Sequence, residues 1–207
     1  SSRKVIKNDD LNKTHNHYYS VDIWSIANEE LKQFLTSGMT LYFEIVGNLP
    51  DGKHIQGKYD YGCKPNEHKI FIYRITTTDI SGRVFEWSML QIEQWCKSKG
   101  LHCVPILYYG TIANWFARDG YDTICQDPNW KDIFLDKLNE RYLEKKCTKE
   151  NFNVFCNNDV WDEGIVIRKE CLDIEAFKVK SFNFKLGETK QLDNGETNIE
   201  DNQEVEL

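Results

Sequence analysis

The stretch Glu163–Ser181 reads EGIVIRKECLDIEAFKVKS. It contains the run Gly164–Arg168 and opens most of a second, Glu175–Asn183. Both are rich in β-branched and aromatic residues, which predicts strands. An acid and a glycine precede the first run and an arginine closes it, while Lys178 and Lys180 sit two apart in the second. Outward from this stretch, Thr40–Val46, Lys69–Thr76 and Cys103–Tyr109 have the same strand composition. Helical signals interrupt them irregularly. Asp22–Thr36 places Ile23, Ile26, Ala27, Leu31, Phe34 and Leu35 on one stripe ahead of Gly38. Ser88–Lys99 opens with the capping-box spacing Ser88-x-x-Gln91 and stops at Gly100. A short turn covers Ile112–Arg118 before Gly120. Asp127-Pro128 then reads as the N-cap and first position of a helix through Lys145 or Lys146. Strands outnumber helices without strict alternation, so the expected class is α+β, with antiparallel sheets and flanking helices rather than a doubly wound parallel sheet.

The chain has 207 residues, 26 Lys+Arg against 33 Asp+Glu, and a net charge of −7. Such a length supports one large core, and the composition is neither disordered nor fibrous. No apolar run approaches the roughly 20 residues a membrane helix needs. Basic Ser1–Lys4 leads into no apolar segment of the kind a secretory signal carries. The expectation is an intracellular, cytoplasmic protein with no membrane partner. Gly187–Leu207 concentrates seven acids against Lys190 alone, leaving the rest of the chain near neutral and free to hold a basic groove. Residues 1–186 are therefore expected to form one domain, and 187–207 an acidic tail, disordered or a loosely docked helix. The seven cysteines include no CxxC pair and match no zinc template, which predicts reduced, buried thiols.

Three segments combine charge with strand character. Glu44 interrupts the apolar run LYFEIVG at 41–47, Glu163 precedes Gly164, and Lys178 and Lys180 share a strand face. Singly, each could be an exposed strand position. Together, two neighbouring ammonium groups call for an anion between them, and a carboxylate such as Glu163 can hold Mg²⁺ that shares its shell with phosphates. Acids, lysines and an arginine at one site suit nucleotidyl transfer, where positioning and charge neutralisation carry the chemistry. His15 and His17 read as a metal pair or an RNA-contacting loop. Lys145, Lys146 and Lys149 read as phosphate contacts or an ordinary charged helix end. Trp161 stands just before the acids and could line the site.

The segments FEIVG at 43–47, EGIVIR at 163–168 and KVKS at 178–181 resemble motifs III, IV and V of the covalent nucleotidyltransferase superfamily, most nearly the ATP-dependent RNA ligases. Ser2-Arg3 is similar to motif Ia, and IFIYRI at 70–75 to motif IIIa. The resemblance spans Arg3–Ser181. It implies a ligase-type (ATP-grasp-like) nucleotidyltransferase domain that joins RNA 5′-phosphate and 3′-hydroxyl ends through lysyl-AMP and RNA-adenylate intermediates, using ATP and Mg²⁺ or Mn²⁺. By the same resemblance, Arg3 and Glu44 contact the ribose or the RNA end. Tyr73 stacks on adenine, with Phe71 its rival; Glu163 positions the metal; Lys178 and Lys180 hold the α-phosphate. The family's nucleophile lies in a KxxG motif ahead of motif Ia. Within this sequence only Lys97 matches that pattern, after motif III and out of order. The expectation is a monomeric adenylation domain, incomplete at its N-terminus, whose lysine lies upstream. Only 27 residues follow Lys180, too few for an OB-fold barrel. A non-catalytic nucleotide- or RNA-binding module and a capping-type guanylyltransferase are the alternatives.

Overall fold

A computed structural model describes residues 21–120, 126–148, 155–171 and 174–193. Its elements are α1 (Ile23–Leu31, continued by a 3-10 turn over Lys32–Phe34), β1 (Met39–Gly47), β2 (His68–Thr78), β3 (Val84–Glu86) and α2 (Met89–Lys99). They continue with β4 (His102–Cys103), α3 (Ile112–Ala117), α4 (Trp130–Tyr142), β5 (Gly164–Lys169), β6 (Glu175–Lys180) and α5 (Phe182–Asp193). The arrangement is α+β. Antiparallel β1–β2–β3 form one sheet, with β4 added beside β2 in parallel, and antiparallel β5–β6 form a second. Among the described residues, no helix is long and apolar enough to cross a membrane.

Local chemistry explains most boundaries. The Asp22 carboxylate accepts the Ser25 N–H and starts α1, whose Ile23, Ala27 and Leu31 point inward at helical spacing. Leu35 is extended, so this helix ends short of the expected Thr36. The Ser88–Gln91 capping box opens α2. Gly100 closes it in the left-handed conformation, with Gly100 N–H bonding Lys97 O and Leu101 N–H bonding Cys96 O. Those two bonds form a Schellman closure.

Elsewhere the boundaries differ from expectation. The fourth helix starts at Trp130 rather than at Pro128, because the Asp127 side chain accepts the Asn129 N–H and makes a turn there. It stops at Tyr142, where Leu143 is extended and Glu144 takes φ +54°. The strand expected over Cys103–Tyr109 shrinks to His102–Cys103. Val104 N–H still reaches Ile72 O, but Pro105 has no donor with which to continue. The strand expected through Asn183 stops at Lys180, since the Ser181 hydroxyl accepts the Phe184 N–H and starts α5 instead. That helix carries the first residues of the expected acidic tail, Gly187–Asp193; residues 194–207 lie outside the described set.

Two cores face the two sheets. α1 and α2 pack on the first through Ile23, Ala27, Leu31, Ile92 and Cys96 against Ile45, Ile70, Ile72 and Ile75. Ile72 and Ile75 are fully buried, each contributing about 2 kcal/mol by area removed from water. α3 and α4 cover the second sheet with Trp115, Phe116 and Leu138 against Ile165, Ile167 and Val179. A smaller cluster of Cys147, Cys156 and Val160 under Tyr59 and Tyr61 joins the regions.

Candidate active site

On β1 the core takes Leu41, Phe43 and Ile45, so alternation turns Tyr42 and Glu44 to the opposite face. Glu44 pairs in register with Phe71 of β2, placing both on that face. The register then shifts: Tyr42 pairs with Arg74 and Phe43 with Ile72, so Tyr73 is the extra residue of a β-bulge. The extra residue lets Ile72 and Ile75 both point inward while Tyr73 stays exposed. Tyr73 stands 6.4 Å from the Tyr42 ring, and the Arg74 guanidinium lies 4.4 Å over that same ring.

A groove of about 370 Å³ runs along this sheet between β2, α2 and the segment after β4. Lys69, Phe71, Glu93, His102 and Cys103 line it. Phe71 lies 5.4 Å from the His102 ring, and Lys69 Nζ donates to Tyr61 O at 3.3 Å. Of the two aromatic candidates, Phe71 lines the groove and Tyr73 does not.

On the second sheet, the Glu163-Gly164 pair is clamped to the end of β6. Ser181 N–H bonds Glu163 O at 2.9 Å, and the Ser181 hydroxyl donates to Asp162 O at 2.8 Å. Gly164 has φ +140°, and a Cβ there would stand 2.1 Å from Val179 O. Only glycine allows so close an approach. Register places Gly164 opposite Lys180 and Val166 opposite Lys178, so both lysines share one face of the ribbon. Lys178 Nζ lies 2.5 Å from the Glu163 carboxylate. Lys180 Nζ donates to both oxygens of Glu188 on α5, at 3.1 and 3.2 Å. Each ammonium therefore meets a carboxylate, the first from the motif itself and the second from the start of the acidic tail.

Tyr61 packs against the Cys147, Cys156 and Val160 cluster, and its backbone carbonyl accepts from Lys69 of β2. Burial raises its phenol pKa well above the ordinary value, and Glu163, Cys156 and Glu44 add to the shift. Two carboxylates far apart in sequence thus act on one side chain. Asp60 holds its loop by accepting N–H groups from Gly62 and Asn157, both at 2.9 Å, and Tyr59 donates to Trp161 O at 2.6 Å. Burial pushes the Asp162 carboxyl up to about 6, with Glu163 raising it further and the Gly164 N–H opposing. The sequence reading had missed Tyr59, Tyr61, Lys69 and Asp162. The Tyr-x-Tyr-Gly pattern at 59–62 was the available signal, since the loop uses positive φ at Tyr61 and Gly62. Arg3, His15, His17 and Lys149 lie outside the described residues. Lys97 is exposed on α2.

Among the described residues, no three His, Cys, Asp or Glu side chains group to cage a metal. The donor chemistry instead fits Mg²⁺, which commonly takes one or two carboxylates and fills its shell with water and substrate phosphates. Glu163, paired here with Lys178, is a carboxylate of that donor type.

The RNA ligase family model matches the chain over residues 3–185. The chain belongs to the RNA ligase family. No curated protein and no solved structure matches it. The match covers every described element of the chain except the end of α5, and the clamp, the groove and the Tyr61 loop all fall inside it.

Proposed function

We propose that this RNA ligase is ATP-dependent and joins 5′-phosphate to 3′-hydroxyl RNA ends through lysyl-AMP and RNA-adenylate intermediates, acting as a monomer. The observation that carries the reading is the Glu163–Lys178 ion pair at the clamped end of the β5–β6 ribbon, with Glu44 and Phe71 paired on one face of the first sheet and Phe71 lining the groove. In this reading the base stacks on Phe71, a geometry that aromatic side chains offer any nucleobase. Glu44, exposed on the same face, reaches the ribose. Lys178 and Lys180 exchange their carboxylate partners for the α-phosphate and hold the charge that builds as pyrophosphate leaves. Bound Mg²⁺ would supply further neutralisation at that phosphate, with Glu163 holding it. In this reading the nucleophile is the lysine that forms the lysyl-AMP.

The test is to incubate the full-length protein with radiolabelled ATP and Mg²⁺. An acid-stable AMP adduct mapping to that lysine is expected, falling by orders of magnitude in Lys178→Ala and Lys180→Ala. An adduct from GTP alone selects a capping-type guanylyltransferase. RNA binding without any adduct selects the non-catalytic module.

A further inference from the structure

Cys103 lines the groove wall, and Cys96, in the helix before it, lies in the core cluster against which Cys103 packs. Cys96 is in the last turn but one of α2 and is almost fully buried. The Schellman closure at Gly100 and Leu101 reverses the chain directly into β4, where Cys103 pairs in parallel register with Ile72. Both cysteines pack on the same core cluster, and Cys103 also lines the groove. Cys103 is therefore a half-exposed thiol with a buried thiol behind it. The neighbouring Cys96 thiol lowers the Cys103 pKa against burial and Glu93, while Cys103 and burial raise that of Cys96. Reactivity at cysteine follows the thiolate and its exposure. The other described thiol pair, Cys147 and Cys156, is enclosed under Tyr59 and Tyr61 with both members buried.

We propose that Cys103 is a peroxide-reactive site resolved by Cys96 into a disulfide at the groove wall. Hydrogen peroxide is the oxidant. The Cys103 thiolate attacks one peroxide oxygen, the O–O bond breaks, and hydroxide leaves, giving the sulfenic acid. Cys96 sulfur then attacks the Cys103 sulfur; the S–O bond breaks, the Cys96 proton goes to the departing hydroxide, and water leaves. Two thiols lose two electrons, and one peroxide becomes two waters. The product pins β4 to α2 beside Phe71 and His102, writing oxidation state into the shape of the groove. The chemistry stands whether or not the ligase reading holds.

The experiment treats the full chain with hydrogen peroxide, blocks remaining thiols by alkylation, and maps the peptides by mass spectrometry. A Cys96–Cys103 cross-linked peptide, two hydrogens lighter and reversed by dithiothreitol, is expected before any change at the other five cysteines. Cys96→Ala should trap a dimedone-reactive sulfenic acid at Cys103, and Cys103→Ser should abolish the cross-link. Because Cys96 is a core residue, wild-type mapping decides the matter if Cys96→Ala does not fold. Oxidation of Cys171 or of Cys147 and Cys156 ahead of this pair overturns the proposal. So does sulfinic acid at Cys103 with Cys96 still a free thiol.

Discussion

At Gly164 the backbone of β5 passes so close to Val179 and Lys180 that no side chain fits. Gly164→Ala combines a left-sided φ with a contact against a carbonyl oxygen, which neither strand can relieve without breaking the register that sets Gly164 opposite Lys180. A loss of more than about 2 kcal/mol in urea unfolding is expected; a loss under about 0.5 kcal/mol would show that the ribbon tolerates a shift. Two residues earlier, Asp162 carries a carboxyl raised from 3.8 to about 6. A raised acid binds its proton more tightly in the folded state, so stability falls as pH rises through that window and levels off above it. The full effect is up to about 3 kcal/mol. Asp162→Asn should flatten unfolding free energy between pH 4 and 6; an unchanged slope there would assign the pH dependence to another group. The sequence displayed Gly164 plainly, because an acid-glycine pair ahead of a β-branched run is a local pattern. It hid Asp162, whose unusual proton affinity comes from burial that only tertiary packing creates.

The fifth helix shows how an element can be misread from composition. Phe182 and Phe184 after a lysine-rich strand look like its continuation, yet Ser181 and Glu144 turn them into a helix start. The Glu144 carboxylate accepts from the Phe182 and Asn183 N–H groups and from the Asn183 side-chain amide. Burial opposes its ionisation, but the Asn183 and Phe182 N–H bonds prevail and lower the pKa below its ordinary 4.5. The cap therefore acts fully above that ordinary value and is lost as pH falls through the depressed one. Glu144→Ala should cost about 1 kcal/mol, read by urea unfolding at neutral pH, with the wild-type advantage disappearing in acid. A helix cap drawn from 38 residues upstream has no sequence signature, unlike Ser88 and Gln91, which lie within one turn and were readable in advance. The same contrast separates α2, legible to its last residue, from β4, whose short length is decided by Pro105 and by the neighbour it pairs with.

Across the molecule, the two sheets are tied by a chain of charges that skips the groove beside β2. Glu86 takes Arg74 from the first sheet, and Arg168, at the end of β5, donates to Trp87 O at 2.5 Å and lies 3.3 Å from Glu170. Glu170 in turn accepts the first N–H of α2 from Met89 and the Tyr109 hydroxyl. Arg168→Ala removes the centre of this chain and leaves the Glu170 carboxylate without its cation. The expected cost is about 3 kcal/mol, with Arg168→Lys recovering only part because a single ammonium lacks the guanidinium fork. Full stability in Arg168→Ala by thermal and urea unfolding would show that the sheets hold through their apolar cores alone. The terminal arginine of EGIVIR was visible as a residue; that it reaches the other sheet was not, since nothing local encodes a partner 81 residues away.

The step at Tyr73 changes how this strand can be compared with any other. Before it, odd-numbered positions of β2 face outward and even-numbered ones inward; after it, parity inverts, and Ile75 occupies the side that Ile72 left. An ungapped alignment with a relative that lacks the step would therefore trade interior for exterior from Arg74 onward. It would score such residues as substitutions when they are the same positions displaced by one.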